Sequence, residues 1–231
     1  MNIFQKLTEK PWLANNLSSD NSLPTLLMEV QSHQRWPAKT ALYFFLAVVT
    51  VIFLLFTITF LSRSQSSDFQ ALAGEPWLPF TQANVLWLNT GLLLFASVTL
   101  QFSQYFSARQ KTHQFLIAIV FSYLFSAAFL SGQYSVWQQL SNNGYYISGN
   151  PANSFFYLLT GIHSLHLLGG VIALLRVMLH FRKNVNLSLL SKNIQLCATY
   201  WHYLFIVWLF LFALLTRTTE TYRAIALFCG F

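Results

Sequence analysis

The sequence predicts an all-α membrane protein, a bundle of five helices that each cross the bilayer, with the N-terminus inside and the C-terminus outside. Three observations carry that reading. Charged residues make up 8% of the 231 residues, hydrophobic residues 55% and aromatics 17%, whereas soluble domains carry about 25% charged residues. Charge-free stretches long enough to cross about 30 Å of hydrocarbon recur along the chain. The basic residues between those stretches divide unequally between the two sides. Disorder is excluded by the apolar content, and a disulfide scaffold by the presence of only 2 cysteines.

Residues 1–37 are polar, with Pro11, Pro24 and the run Asn15-Asn16-Leu17-Ser18-Ser19-Asp20, and are expected to form a cytoplasmic N-terminal segment. No apolar stretch follows the first basic residues, so no signal peptide is expected. Leu23–Val30 is a candidate for a short helix on the membrane surface. The transmembrane domain is expected over 38–216. Its first span runs Thr40–Ser62, about 34 Å long at a helical rise of about 1.5 Å per residue. The others run Val85–Phe106, Gln114–Leu140, Ser154–Leu175 and Asn193–Thr216. A membrane barrel would alternate polar and apolar residues over about ten positions, whereas these runs are apolar on every side. The turn-rich stretch 139–153 reads as a short outer connection, and 217–231 as a short outer tail.

With five crossings, Lys6, Lys10, Arg35, Lys39, Arg109, Lys111, Arg176, Arg182, Lys183 and Lys192 share one side, and Arg63, Arg217 and Arg223 the other. Basic residues mark the cytoplasmic side, which sets the orientation. The formal net charge of +7 is thus a statement about topology, not about nucleic acid. Arg176 and Arg217 are placed to snorkel to the two interfaces.

The five spans contain no Asp, Glu, Lys or Arg. A proton pump or ion-coupled transporter would carry acids across the bilayer, and an inverted repeat would mark a transporter; neither is found. Three histidines remain inside the spans. His166 and His202 each lie about nine residues, or about 13.5 Å, from the inner end of their helix, and His163 lies one turn above His166. Antiparallel neighbours would bring His166 and His202 face to face. They read either as a ligand pair for haem or metal, or as neutral rings bonded to each other, to the backbone or to hydroxyls such as Thr160, Ser164 and Thr199. Gly161, Gly169 and Gly170 would let another helix approach closely. Trp201 and Trp208 are seven apart and share a face. Cys197 reads as a small hydrophobe.

Span four, Phe155-Phe156-Tyr157-Leu158-Leu159-Thr160-Gly161-Ile162-His163-Ser164-Leu165-His166 through Gly170, resembles the FF…TGxHxLHxxxG signature of subunit III of haem–copper oxidases. Span five, Tyr200-Trp201-His202 through Trp208 and Phe212, is similar to that family's YWHFxDxVWLFLF run. Span two supplies Pro76-Trp77-Leu78 and Leu88-Asn89-Thr90, like its PW…LNT pattern. Span three supplies Phe129-Leu130-Ser131-Gly132-Gln133, like its FLxxQxxE. The likeness covers about residues 38–216 and is to the short, five-helix form. It singles out Asn89, Thr90, Gln133, Gly161, His163, His166, Gly170, Trp201, His202 and Trp208 as structural motif residues.

The resemblance implies a non-catalytic subunit of a respiratory terminal oxidase in a bacterial inner membrane. The oxidase reduces oxygen and conserves the energy as a proton gradient. Subunit III carries no cofactor or metal of its own. Haem and copper are expected in partner subunits, with subunit I as the main contact, then subunit II and small subunits. Bound phospholipid is expected, and no nucleic acid. Three family acids are replaced here: Val49 stands in the place of the acid in the FLASExxFF run, Val136 in FLxxQxxE and Phe205 in WHFxD. No proton-handling role carries over. Two alternatives stay open: a subunit III-like accessory protein of nitric oxide reductase, and a membrane cytochrome b with haem between His166 and His202.

Overall fold

The computed structural model describes residues 36–72, 83–183 and 187–229. The five apolar runs are five long helices: α1 (Trp36–Arg63), α2 (Ala83–Ala108), α3 (Thr112–Asn142), α4 (Pro151–Lys183) and α5 (Leu187–Leu215). Each is long and apolar enough to cross a membrane, over Ala38–Arg63, Val85–Ala108, Thr112–Asn142, Pro151–Leu179 and Asn193–Leu215. The all-helical, five-span expectation is therefore met. The candidate surface helix at Leu23–Val30 lies outside the described residues. The stretch read as a tail contains a further helix, α6 (Thr219–Cys229), with Glu220 in its first turn, where a negative charge suits the helix dipole.

The chain divides into two compact units, Met1–Ala41 and Leu42–Phe231. Of the first, only the opening turns of α1 are described. Within the second, α2 packs against α3 and α5, and α4 packs against the same two helices. These four close into a ring, and the short connections 109–111 and 143–150 make α2 and α3, and α3 and α4, antiparallel. The ring is filled by Leu93, Ala96 and Leu100 of α2, Phe115, Ile119 and Phe129 of α3, Leu167 and Leu174 of α4, and Trp201, Leu204 and Trp208 of α5. From residue 42 on, α1 joins through long side chains. Phe60 meets Phe155 edge-on at 5.5 Å, and the Thr50 and Tyr203 hydroxyls are 2.9 Å apart. The opposite face of α1, with Phe44, Leu54 and Leu55, is exposed, as suits a helix against hydrocarbon.

Local chemistry fixes the helix ends. After α2, the Lys111 N–H donates to the Phe106 carbonyl at 3.0 Å and the Gln110 N–H to the Ser107 carbonyl at 3.2 Å. After α3, Tyr145 donates to Leu140 and Gly144 to Ser141 in the same pattern. Both are Schellman closures, which need a left-handed residue at the turn. Gly144 supplies φ 84 without strain, whereas Gln110 is forced to φ 58. At the start of α4, the Asn150 carboxamide oxygen accepts from the Ala152 N–H at 3.2 Å, and Pro151 takes the first helical position. This is a favourable N-cap followed by proline. The same carboxamide holds Gln70, donating to its carbonyl at 2.6 Å and accepting from its N–H at 3.3 Å.

Candidate functional site: the polar interior of the bundle

A bilayer core offers no water to polar groups, so each hydroxyl, amide and ring nitrogen in a span needs an internal partner. Many hydroxyls bond to their own helix, as Thr57 does to the Phe53 carbonyl and Thr90 to Leu86. The two tryptophans of α5 reach across the ring instead. Trp201 donates through Nε1 to the Ser126 hydroxyl of α3, and Trp208 to the Thr90 hydroxyl of α2, each at 3.1 Å. The shared face expected from their spacing is the core face of α5. On the other side of the ring, Trp137 donates to Thr160 at 3.1 Å.

His163 is completely buried among rings. It lies 5.3 Å from Trp208 and 6.0 Å from Phe129, which itself meets Trp208 edge-on at 4.9 Å. Gln133 lies midway between Phe129 and Trp137 on one helical stripe. Since Phe129 touches His163 and Trp137 touches Thr160, Gln133 faces the turn of α4 between Thr160 and His163. Asn89 approaches α3 where Gly132 has no side chain: a Cβ there would overlap the Asn89 carboxamide. Asn89, Gln133 and His163 are at most 1% exposed.

His166 and His202 do not form the expected face-to-face pair. The His166 ring sits between Phe45 and Phe53 of α1, at 6.1 and 6.0 Å, and its Nδ1 donates to the Ile162 carbonyl at 2.8 Å. His202 turns to α2, with Nε2 donating to Gln101 Oε1 at 3.0 Å and Nδ1 accepting from the Ser97 hydroxyl. One donor and one acceptor are what a neutral imidazole provides. The cause is rotation: position 202 lies about 100° around α5 from Trp201, which points into the ring, so His202 reaches α2. Both ring nitrogens of His202 are thus engaged on α2, whereas the His166 ring packs on α1. Among the described residues, no three His, Cys, Asp or Glu side chains gather as metal ligands would.

Of the expected glycine contacts, Gly170 alone serves packing within the chain. A Cβ there would come within 2.8 Å of Tyr200 and 2.9 Å of Trp201, whereas at Gly161 and Gly169 nothing lies within 4 Å. Val49 and Val136 are buried, at 3% and 4% exposure, and Phe205 is half-buried. Val49 lies between Phe45 and Phe53 on one stripe of α1, so it faces His166. Thr199 bonds to Gln195 of its own helix, not to a histidine. Sequence reasoning missed Ser97 and Gln101. Their spacing of four on span two, which puts two polar groups on one face, was the available signal.

The family described as cytochrome c oxidase subunit III matches residues 29–217. A Mycobacterium leprae protein named "Probable cytochrome c oxidase subunit 3" is 28% identical over 163 residues, 70% of this chain and 77% of that protein. Cytochrome c oxidase subunit 3 of Corynebacterium diphtheriae is 29% identical over 123 residues, 53% of this chain and 60% of its own. That of Bacillus subtilis is 26% identical over 175 residues, 74% of this chain and 81% of its own. With five spans in the expected places and the family model matched over residues 29–217, this chain belongs to the cytochrome c oxidase subunit III family.

Proposed function

We propose that the chain is the non-catalytic scaffold of a respiratory haem–copper oxidase, docking laterally in a bacterial inner membrane on the subunit that reduces oxygen, with its N-terminus in the cytoplasm. The observation that carries this is the family match over 29–217. The character of the interior supports it: the indoles of Trp137, Trp201 and Trp208 are spent on serine and threonine hydroxyls of neighbouring helices. At the positions the resemblance gives to acids, this chain has Val49, Val136 and Phe205, so the role is structural rather than proton-handling. Haem and copper would belong to the partners, with phospholipid held at the helix surfaces.

The test is purification of the tagged full-length chain from its native membrane in mild detergent. Haem–copper oxidase subunits in stoichiometric amount, with oxygen-reducing activity that becomes labile when this chain is removed, are the expected result. Co-purification with a nitric oxide reductase would replace the reading. Stoichiometric haem bound to the chain alone would overturn it.

A further inference from the structure

We propose that Asn89, Gln133 and His163 form an internal hydration site, holding one or two water molecules between α2, α3 and α4 in the heart of the ring. Among the described residues, both polar side-chain atoms of each of the three lack a hydrogen-bond partner within the protein, although each side chain is at most 1% exposed. The indole donors of the ring are already engaged. Trp208 is taken by Thr90, Trp137 by Thr160 and Trp201 by Ser126.

The contacts of their neighbours place the three residues at one level of the ring. Asn89 lies over Gly132, Gln133 is the next residue, and the His163 ring lies 5.3 Å from that of Trp208, which bonds to Thr90 beside Asn89. Gly132 and Gln133 point about 100° apart around α3. The Asn89 carboxamide is therefore pressed against the α2 side of that helix while the Gln133 carboxamide turns to α4, an arrangement that suits a bridging molecule.

The ligand must both donate and accept, since the six atoms comprise two carbonyl oxygens, two amide nitrogens and the two nitrogens of an imidazole. It must also be small and neutral, because no carboxylate or ammonium lies in any span to balance an ion. Water meets these terms, and a buried water makes about three bonds to groups otherwise unsatisfied. Three residues on three helices supply that number.

The experiment is proton-detected solid-state NMR of the full-length chain, uniformly ¹³C,¹⁵N-labelled, in nanodiscs of perdeuterated lipid. Magnetisation transfer from water to the His163 ring N–H is expected. Gln133→Met, which keeps side-chain length but removes the carboxamide, should abolish or strongly weaken that transfer while leaving the backbone shifts of the ring helices in place. No transfer in the unmodified chain, or a coupling across a hydrogen bond from the His163 ring nitrogen directly to the Asn89 or Gln133 carboxamide carbon, would overturn the proposal. So would transfer undiminished in the Gln133 variant.

Discussion

The Asn89 carboxamide occupies the space that a side chain on Gly132 would need, so α2 and α3 meet through an amide seated against bare backbone. Position 132 therefore tolerates no Cβ unless Asn89 moves out of a packed layer. Gly132→Ala should destabilise the bundle by about 1–3 kcal/mol, the usual penalty of overpacking. Gly161→Ala, with nothing within 4 Å of its added methyl, should stay within about 0.5 kcal/mol of the parent. Reversible unfolding in mixed micelles reads both, and equal effects at the two glycines would contradict the packing.

Gln110 closes the turn between α2 and α3 at φ 58, a conformation that costs a side-chain-bearing residue about 1–2 kcal/mol. Gly144 does the same work after α3 without that strain. Gln110→Gly should thus raise stability by up to about 1 kcal/mol, although part of the gain is offset by the freedom glycine adds to the unfolded chain. A loss of stability in the same unfolding assay would show that the Gln110 side chain makes a contact outweighing the strain.

The helices were legible because hydrocarbon demands long apolar runs, and the resemblance pointed to Asn89, Gln133, His163 and Trp208 without their contacts. What the sequence concealed was direction around each helix. The spans are apolar on all sides, so no stripe marks the inward face, and depth counting put His166 and His202 at one level without revealing that they turn to different helices. Gly161 and Gly170 looked alike for the same reason, yet among the described residues Gly170 meets a neighbouring helix and Gly161 does not. The helix Thr219–Cys229 escaped notice because it is short and lies outside the apolar runs; Tyr222, buried among Phe60 and Phe69, is what fastens it.

His202 bridges to Ser97 and Gln101, so its replacement leaves both without a partner. His202→Leu should weaken the bundle by about 1 kcal/mol, the scale of an interhelical hydrogen bond in a membrane. Gln101→Leu should remove part of that amount and add little in the His202→Leu background. The haem spectra of the assembled oxidase should not change with either. A spectral shift, or full additivity of the two substitutions, would sink this assignment.

Tyr222 donates its hydroxyl to the Leu214 carbonyl at 2.7 Å, tying α6 to the end of α5. Burial of the phenol raises its pKa above the usual value, only partly opposed by Arg217. A folded pKa above the unfolded one means a contribution fully present below about pH 10, the ordinary tyrosine value, and lost as pH rises through the higher folded value. Stability of the parent should therefore fall above about pH 10 more steeply than that of Tyr222→Phe. Parallel pH profiles for the two proteins would show that this phenol is not protected in the folded state.

Val49 faces His166, because Phe45 and Phe53, one turn to either side of it on α1, both flank that ring. A carboxylate at position 49 would meet an imidazole that packs between two phenyl rings and bonds to the Ile162 carbonyl. Val49→Glu should cost about 2–4 kcal/mol, as a buried acid must lose its hydration. In the His166→Leu background the same substitution should cost about 1–2 kcal/mol more, since no partner then compensates the charge. Hydrophobic carbodiimide gives an independent reading. The unmodified chain, with no carboxyl between Thr40 and Ser62, should give no adduct there, whereas Val49→Glu should give one. If Val49→Glu resists the reagent, or if its cost is the same with and without His166, the two side chains do not face each other.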